Sequence, residues 1–243
     1  MDKLSINCVP SDHSKQVASN YYINFLLKKG ERVHSVLDLG CGNGNSVDYF
    51  RKMIPTVNWV GIDTGKSRES RARTRKDTNF CIFDGINIPF DDDSFDLIFC
   101  NQVFEHVVGP RVLMMEINRV LRPGGYLIGA VSQLEPYHSY SVCNYTPYGF
   151  MLLVEDSGLI LREVRPSIDA LTLIIRRGLK RPKFFLRFWL KESPLNLLIS
   201  IIGKLLRKNH KYVNEIKLLF CGQFCFLVQK PDEMSCINSE KIE

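Results

Sequence analysis

Residues Leu37–Asn45 read LDLGCGNGN, three glycines within five positions directly after an apolar run. A loop this dense in glycine reaches positive φ freely and lets another molecule come close to its backbone. The spacing is G-x-G-x-G, at Gly40, Gly42 and Gly44. A dinucleotide fingerprint is G-x-G-x-x-G, and Asn45 stands where its third glycine would let helix and strand pack closely. A Walker-type phosphate loop needs Gly-Lys-Ser/Thr, which the stretch lacks. Neither phosphate reading fits.

Outward from the loop, short apolar runs alternate with helical patterns. Val33–Leu39 reads as a buried strand, followed by a helix from about Asn45 to Met53 closed by Pro55. NWVGID, NFCIFDG and SFDLIFCN read as strands ending at Asp63, Asp84 and Asn101. A helix with Val112, Met115, Ile117, Val120 and Leu121 on its inner face follows; RPGG stops it, and YLIGAVS is a fifth strand. Thr146 and Pro147 begin another helix, ended by Gly158 before a sixth strand at Ile160–Val164. LLFCGQFCFLVQK supplies the last strand, at about 217–230. Upstream, Ser11 or Asp12 caps a helix over 11–29, which Gly30 ends. Such alternation predicts βαβ crossovers and a parallel sheet, with ligands gathering beyond the carboxyl ends of the strands. Asp38, Asp63, Asp84 and Asn101 recur at that edge. A carboxylate at Asp63 can accept both hydroxyls of a ribose, and one at Asp84 can accept from an adenine amino group. A ligand with ribose, adenine and a compact cationic portion needs those acceptors and no pyrophosphate cradle.

At this point the sequence resembles the class I S-adenosylmethionine-dependent methyltransferases. VLDLGCGNG, WVGID, FDGINIPFDDDSFDLIFCNQVFEHV and VLRPGGYLIGAVS match that family's motifs in order and at its usual spacing, over about Val33 to Ser132. YTPYGFMLLVEDSGLI extends the likeness to about Ile160. The resemblance implies an α/β fold: a Rossmann-like, doubly wound, seven-stranded, mostly parallel sheet with an antiparallel last strand. It implies S-adenosylmethionine as cofactor. Gly40, Cys41 and Gly42 would meet its methionine end, Asp63 its ribose, and Asp84 with Gly85 its adenine. Asn101 and Gln102 would pass the methionine portion, and Asp38 would orient the loop or meet the amino group. Cys41 serves as a small residue that fits the turn.

Methyl transfer from a sulfonium is an in-line displacement that depends mainly on alignment. A base matters when the acceptor is a hydroxyl or a protonated amine. His106, directly after Glu105, is the candidate; a place in the pocket wall is its alternative. His138 and Tyr145, beyond the fifth strand, are candidate substrate contacts. No residue is assigned to a metal.

Two segments depart from the family pattern. Thr64–Asp77 has Ala72 as almost its only apolar residue against six Lys or Arg, and reads as a short exposed helix or loop. Residues 166–215 insert about fifty residues between strands six and seven. Leu195, Leu198, Ile202 and Leu205 share one helical face there. Arg176 to Lys211 holds eleven Lys or Arg and one acid, so the rest of a chain of net charge +6 is acidic. Two readings compete: a helical cap over the acceptor pocket, or a peripheral contact of 176–211 with anionic membrane. Nucleic acid is disfavoured, because the aromatic residues there look buried.

The 243 residues are read as one domain over 1–230, with a core at 33–165 and a flexible tail at 231–243. No secretory leader and no run of about 18 apolar residues is found. The eight scattered cysteines read as reduced thiols of a cytoplasmic protein. The expected function is methylation of O or N on a small molecule or saccharide, lipid-linked in one version. A lipid or quinone methyltransferase at the membrane surface and a non-catalytic S-adenosylmethionine-binding scaffold are the alternatives. A nicotinamide dehydrogenase is disfavoured by Asn45.

Overall fold

A computed structural model describes residues 8–232; most of the expected tail lies outside them. Seven strands form one sheet in the order β3-β2-β1-β4-β5-β7-β6. They are β1 (Ser35–Leu39), β2 (Asn58–Asp63), β3 (Asn79–Ile82), β4 (Phe95–Asn101), β5 (Leu121–Ser132), β6 (Ile160–Pro166) and β7 (Gln223–Gln229). β7 runs antiparallel to both of its neighbours, and the strand pairs from β3 through to β5 are parallel. The expected doubly wound sheet with a reversed last strand is present.

Helices cover both faces. On one, α1 (Tyr21–Lys28) and α2 (Ser46–Met53) bury Tyr22, Ile23, Leu26, Val47 and Phe50 against Trp59 and Phe99. On the other, α4 (Pro110–Val120) and α5 (Pro147–Glu155) bury Leu113, Met114, Ile117, Phe150 and Val154 against Phe224 and Phe226. A single turn, α3 (Arg68–Arg71), follows β2. Between β6 and β7 come α6 (Ala170–Gly178), a 3-10 stretch (Lys183–Trp189), α7 (Pro194–Leu205) and α8 (His210–Phe220).

The structure corrects four boundaries. The first described helix begins at Tyr21, not at 11, because Asp12 is used elsewhere: its carboxylate accepts from the Arg165 guanidinium at 2.9 and 3.1 Å. RPGG lies inside β5, where a register shift against β4 absorbs residues 122–125. Ile117, Val120 and Leu121 are buried as expected, but Val112 and Met115 face outward and Leu113 and Met114 pack inward beside them. Leu218–Phe220 closes α8; β7 starts only at Gln223, after Cys221 and Gly222, so the last strand is shorter than 217–230.

Residues 8–17 form an extended strap across the late part of the chain. The Cys8 carbonyl accepts from Val164 N at 2.8 Å, and Val17 N donates to the Pro166 carbonyl at 3.1 Å. Asn214 Nδ2 donates to the Pro10 and His13 carbonyls at 2.9 Å each, and Lys217 Nζ to the Ser14 carbonyl at 2.6 Å. Gln16 Oε1 accepts from Asn196 Nδ2 at 2.7 Å. The insertion is thereby stitched to β6 by polar bonds.

Candidate functional site

The carboxyl ends of β1, β2 and β4 meet at the glycine loop. Gly40, Gly42 and Gly44 all have positive φ. A Cβ on Gly40 would stand 2.4 Å from Val103 Cγ2, so the loop after β4 packs directly on β1's turn. The Gly40 and Cys41 amides both donate to the Ile62 carbonyl, at 2.8 and 3.1 Å, tying the loop to β2. Asp63 Oδ2 accepts from Gly42 N at 2.9 Å, and its Oδ1 accepts from Ser67 Oγ at 3.1 Å.

Asp38 lies behind the loop, fully enclosed. Ser46 Oγ donates to it, and burial pushes its carboxyl up to about 7. Burial likewise pushes the Cys41 thiol up to about 12, which makes it a packing group and not a nucleophile. Asp84 lies past the end of β3 and is exposed. One of its oxygens accepts the Ile86 and Asn87 amides at 2.8 and 2.7 Å, so it also shapes the turn that begins at Gly85. Asn101 ends β4 exposed; Gln102 follows with φ 58°, and its side-chain amide lies 3.1 Å from Ser132 Oγ and 2.9 Å from Gln223 Nε2.

The basic segment after β2 lies on the loop. Arg73 donates to the Gly42 carbonyl from Nε and from a terminal nitrogen, at 2.8 and 2.5 Å. Its guanidinium sits 3.9 Å from the Phe80 ring centroid. Arg75 pairs with Asp48 of α2 at 2.5 Å. Thr64–Asp77 is therefore the short helix and loop expected, yet two of its cations brace the loop and α2 and do not simply face solvent. Lys66, Arg68, Arg71, Ala72 and Tyr140 line a cavity of ≈ 640 Å³ between this segment and the loop after β5. The cavity wall carries three cations and none of the glycine-loop residues.

The second half of the site lies beyond β4 and β5. His106 ends a 3-10 turn (Phe104–His106) whose Glu105 is wholly buried. The His106 and His138 rings meet edge to face at 5.3 Å. The Ser132 hydroxyl lies 2.9 Å from Glu105 Oε1 and 3.0 Å from Glu135 Oε2. It has one proton to give, so one of those short contacts needs a proton on a carboxyl group. Burial meets that need, pushing Glu105 up to about 7. It also lowers His106, with the neighbouring His138 acting in the same direction, which favours the neutral ring. Tyr145 is a wall residue: its hydroxyl donates to the Phe104 carbonyl at 3.2 Å and its ring packs on Phe104 and Phe150.

The insertion reaches this half. Gln223 Nε2 donates to Glu135 Oε2 at 2.6 Å, and Trp189 Nε1 donates to Gln223 Oε1 at 3.2 Å. The Arg177 guanidinium of α6 stands 4.0 Å from Glu135 Oε1. Glu135, Ser132, Gln223, Arg73 and Arg177 were not singled out in the sequence. Only Glu135 left a signal there, three residues before His138.

Residues 37–129 match the family model described as a methyltransferase domain. The chain is 35% identical over 100 residues to the methyltransferase GfsG of Streptomyces halstedii, covering 39% of this chain and 36% of that one. It is 31% identical over 94 residues to a phthiotriol/phenolphthiotriol dimycocerosates methyltransferase of Mycobacterium tuberculosis, covering 37% and 35%. The match thus spans about a third of the length of these curated relatives. The fold superposes on Burkholderia thailandensis 1,6-didemethyltoxoflavin-N1-methyltransferase, solved with 1,6-didemethyltoxoflavin and S-adenosylhomocysteine. The TM-score is 0.54 at 13% identity, over 86% of this chain and 76% of that one.

Proposed function

We propose that this chain, whose residues 37–129 match a methyltransferase-domain model, is a class I S-adenosylmethionine-dependent methyltransferase that methylates an oxygen or nitrogen of a small molecule or saccharide carried on a lipid. The observation that carries the reading is the division of one sheet edge into two halves. The loop and Asp63 form the donor half; Glu105, His106 and His138 form the acceptor half. When bound, S-adenosylmethionine supplies an electrophilic methyl group on a sulfonium, a leaving group that needs no protonation.

The chain's own residues supply alignment and a proton sink. The Gly40–Gly42 backbone holds the methionine end, Asp63 the ribose, and Asp84 with Gly85 the adenine. Asn101 and Gln102 border the path between donor and acceptor. His106 Nδ1 is buried and has no hydrogen-bond partner among the described residues. With the ring neutral, that nitrogen can take the acceptor's proton as the new bond forms.

The lipid part of the reading rests on α7. Its Asn196 and Gly203 face inward, while Leu197, Leu198, Ile201, Ile202 and Leu205 face outward. Leu205 is 77% exposed and the following Leu206 62%. Lys204, Arg207, Lys208 and Lys211 flank this row. An outward apolar row bordered by cations suits an anionic lipid surface. The insertion thus joins the two competing readings: its inner side caps the acceptor half and its outer side faces lipid. Among the described residues no helix is long and apolar enough to cross a membrane.

Calorimetry with S-adenosylmethionine and S-adenosylhomocysteine tests the core of the proposal. Binding of neither at high micromolar concentration sinks it, and protection by NADH in a thermal shift would favour the dehydrogenase reading. Labelled donor incubated with cell extract then gives the acceptor as a product mass.

A further inference from the structure

Glu105, His106 and His138 each offer a ligand atom, and the three atoms lie within 4.8 Å of one another. Glu105 is fully buried, yet its Oε2 has no hydrogen-bond partner among the described residues, and neither does His106 Nδ1. A buried polar atom without a partner costs about 1–3 kcal/mol, and more when charged. Two such atoms on adjacent residues, both in one cluster of ligand groups, call for something that satisfies them.

The surroundings specify its charge. Glu105 and Glu135 crowd one Ser132 hydroxyl. Glu135 Oε1 lies 3.7 Å from His138 Nδ1. The described side-chain cations near them are Arg177, 4.0 Å from Glu135 and 3.5 Å from the Pro136 carbonyl, and its neighbour Arg176, whose charge also feels Glu135. Two carboxylates and two imidazoles with so little positive charge among them favour a cation at their centre.

We propose that Glu105, His106 and His138 bind one divalent cation of the first transition row, zinc or manganese, with Glu135 orienting His138. Two imidazoles and a carboxylate suit such ions better than magnesium or calcium, which prefer oxygen-only sets. Three protein ligands leave coordination positions open, as in catalytic and not structural sites. Glu135 beside His138 is the outer carboxylate that fixes a ligating imidazole. The cation's role in methyl transfer rests on the function proposed above: it would anchor an acceptor hydroxyl and make it easier to deprotonate. With the cation bound, His106 serves as a ligand in place of the base role given to it above, and the acceptor's proton leaves to solvent water.

The test uses the full chain freed of metal by chelator. Zn²⁺ or Mn²⁺ alone is titrated calorimetrically, and Co²⁺ serves as a visible-absorption probe of nitrogen–oxygen ligation. One equivalent is expected, weakened at least about ten-fold by His138→Ala and by Glu105→Gln. Glu135→Gln should weaken it less. His138 lies on a loop, so its variant keeps the fold if Glu105→Gln does not. Absent saturable binding, or binding unchanged in His138→Ala, overturns the proposal. S-adenosylhomocysteine binding is measured in the same samples. Its retention without cation binding leaves the methyltransferase reading standing; cation binding without it leaves the metal site standing alone.

Discussion

Asp63 Oδ2 accepts the Gly42 amide at 2.9 Å. One carboxylate at the end of β2 therefore holds the glycine loop, and in the proposed function it would also meet a ribose. Asp63→Asn keeps the shape and loses the charge. A hydrogen bond to a charged group contributes about 1.5–3 kcal/mol. S-adenosylhomocysteine affinity is expected to fall at least about ten-fold, measured by calorimetry, with a smaller loss of thermal stability.

Arg73 braces the same loop from outside. Arg73→Ala removes two bonds to the Gly42 carbonyl and the stacking on Phe80. The expected cost is about 1–2 kcal/mol in urea denaturation. Arg73→Lys should recover only part of it, because an ammonium cannot make the same planar pair of bonds.

Gly40→Ala places a Cβ 2.4 Å from Val103 at φ +73°. The left-handed conformation alone costs about 1–2 kcal/mol, and the clash adds to it. The variant is expected to lose donor binding before it loses its far-ultraviolet circular dichroism. A Val103→Ala background should restore part of the affinity by relieving the clash.

Two buried acids give stability a pH signature in metal-free protein. Asp38 and Glu105 are each raised to about 7. Between their unfolded values near 4 and about 7, the folded state holds protons that the unfolded state releases. Stability is therefore highest at the acid end of that window and falls as pH rises towards 7. Glu105→Gln and Asp38→Asn should each flatten that fall in denaturant titrations at pH 5.5 and 7.5. A steeper fall in the variants would contradict the assignment.

The outer face of α7 predicts retention on vesicles containing anionic lipid. Leu198→Glu with Ile202→Glu should abolish it while leaving S-adenosylhomocysteine affinity unchanged, since both side chains face solvent. Retention equal to that of the parent protein would contradict the lipid reading, as would failure of the parent to bind such vesicles.

The positions proposed for the donor half were legible in sequence because the pattern that places them is local. Gly40, Gly42, Asp63 and Asp84 sit at strand ends that periodicity alone locates. The acceptor half was not. Glu105 looks like an ordinary helix-start acid until Ser132 and Glu135, from another strand and loop, are brought against it. Arg73 comes from a segment with almost no apolar face, and its role depends on a bond to backbone, which leaves no pattern in residue types. Residues 11–20 carry helix-like spacing, but tertiary bonds from Arg165, Asn214 and Lys217 hold residues 8–17 extended. The apolar period of α7 was read correctly as one face. That the face points outward follows from Asn196 and Gly203 being the residues that fit beneath.

The strap also orders events in time. Residues 8–17 are synthesised before the sheet they cross, yet Ser14 receives Lys217 across a separation of 203 residues. Contacts this distant must await nearly complete synthesis and slow the final closure. A nascent chain would hold its sheet core while Arg165 still lacks Asp12, and a protease added at that stage should find the leading segment open. A segment made before the sheet core is thus secured only after it.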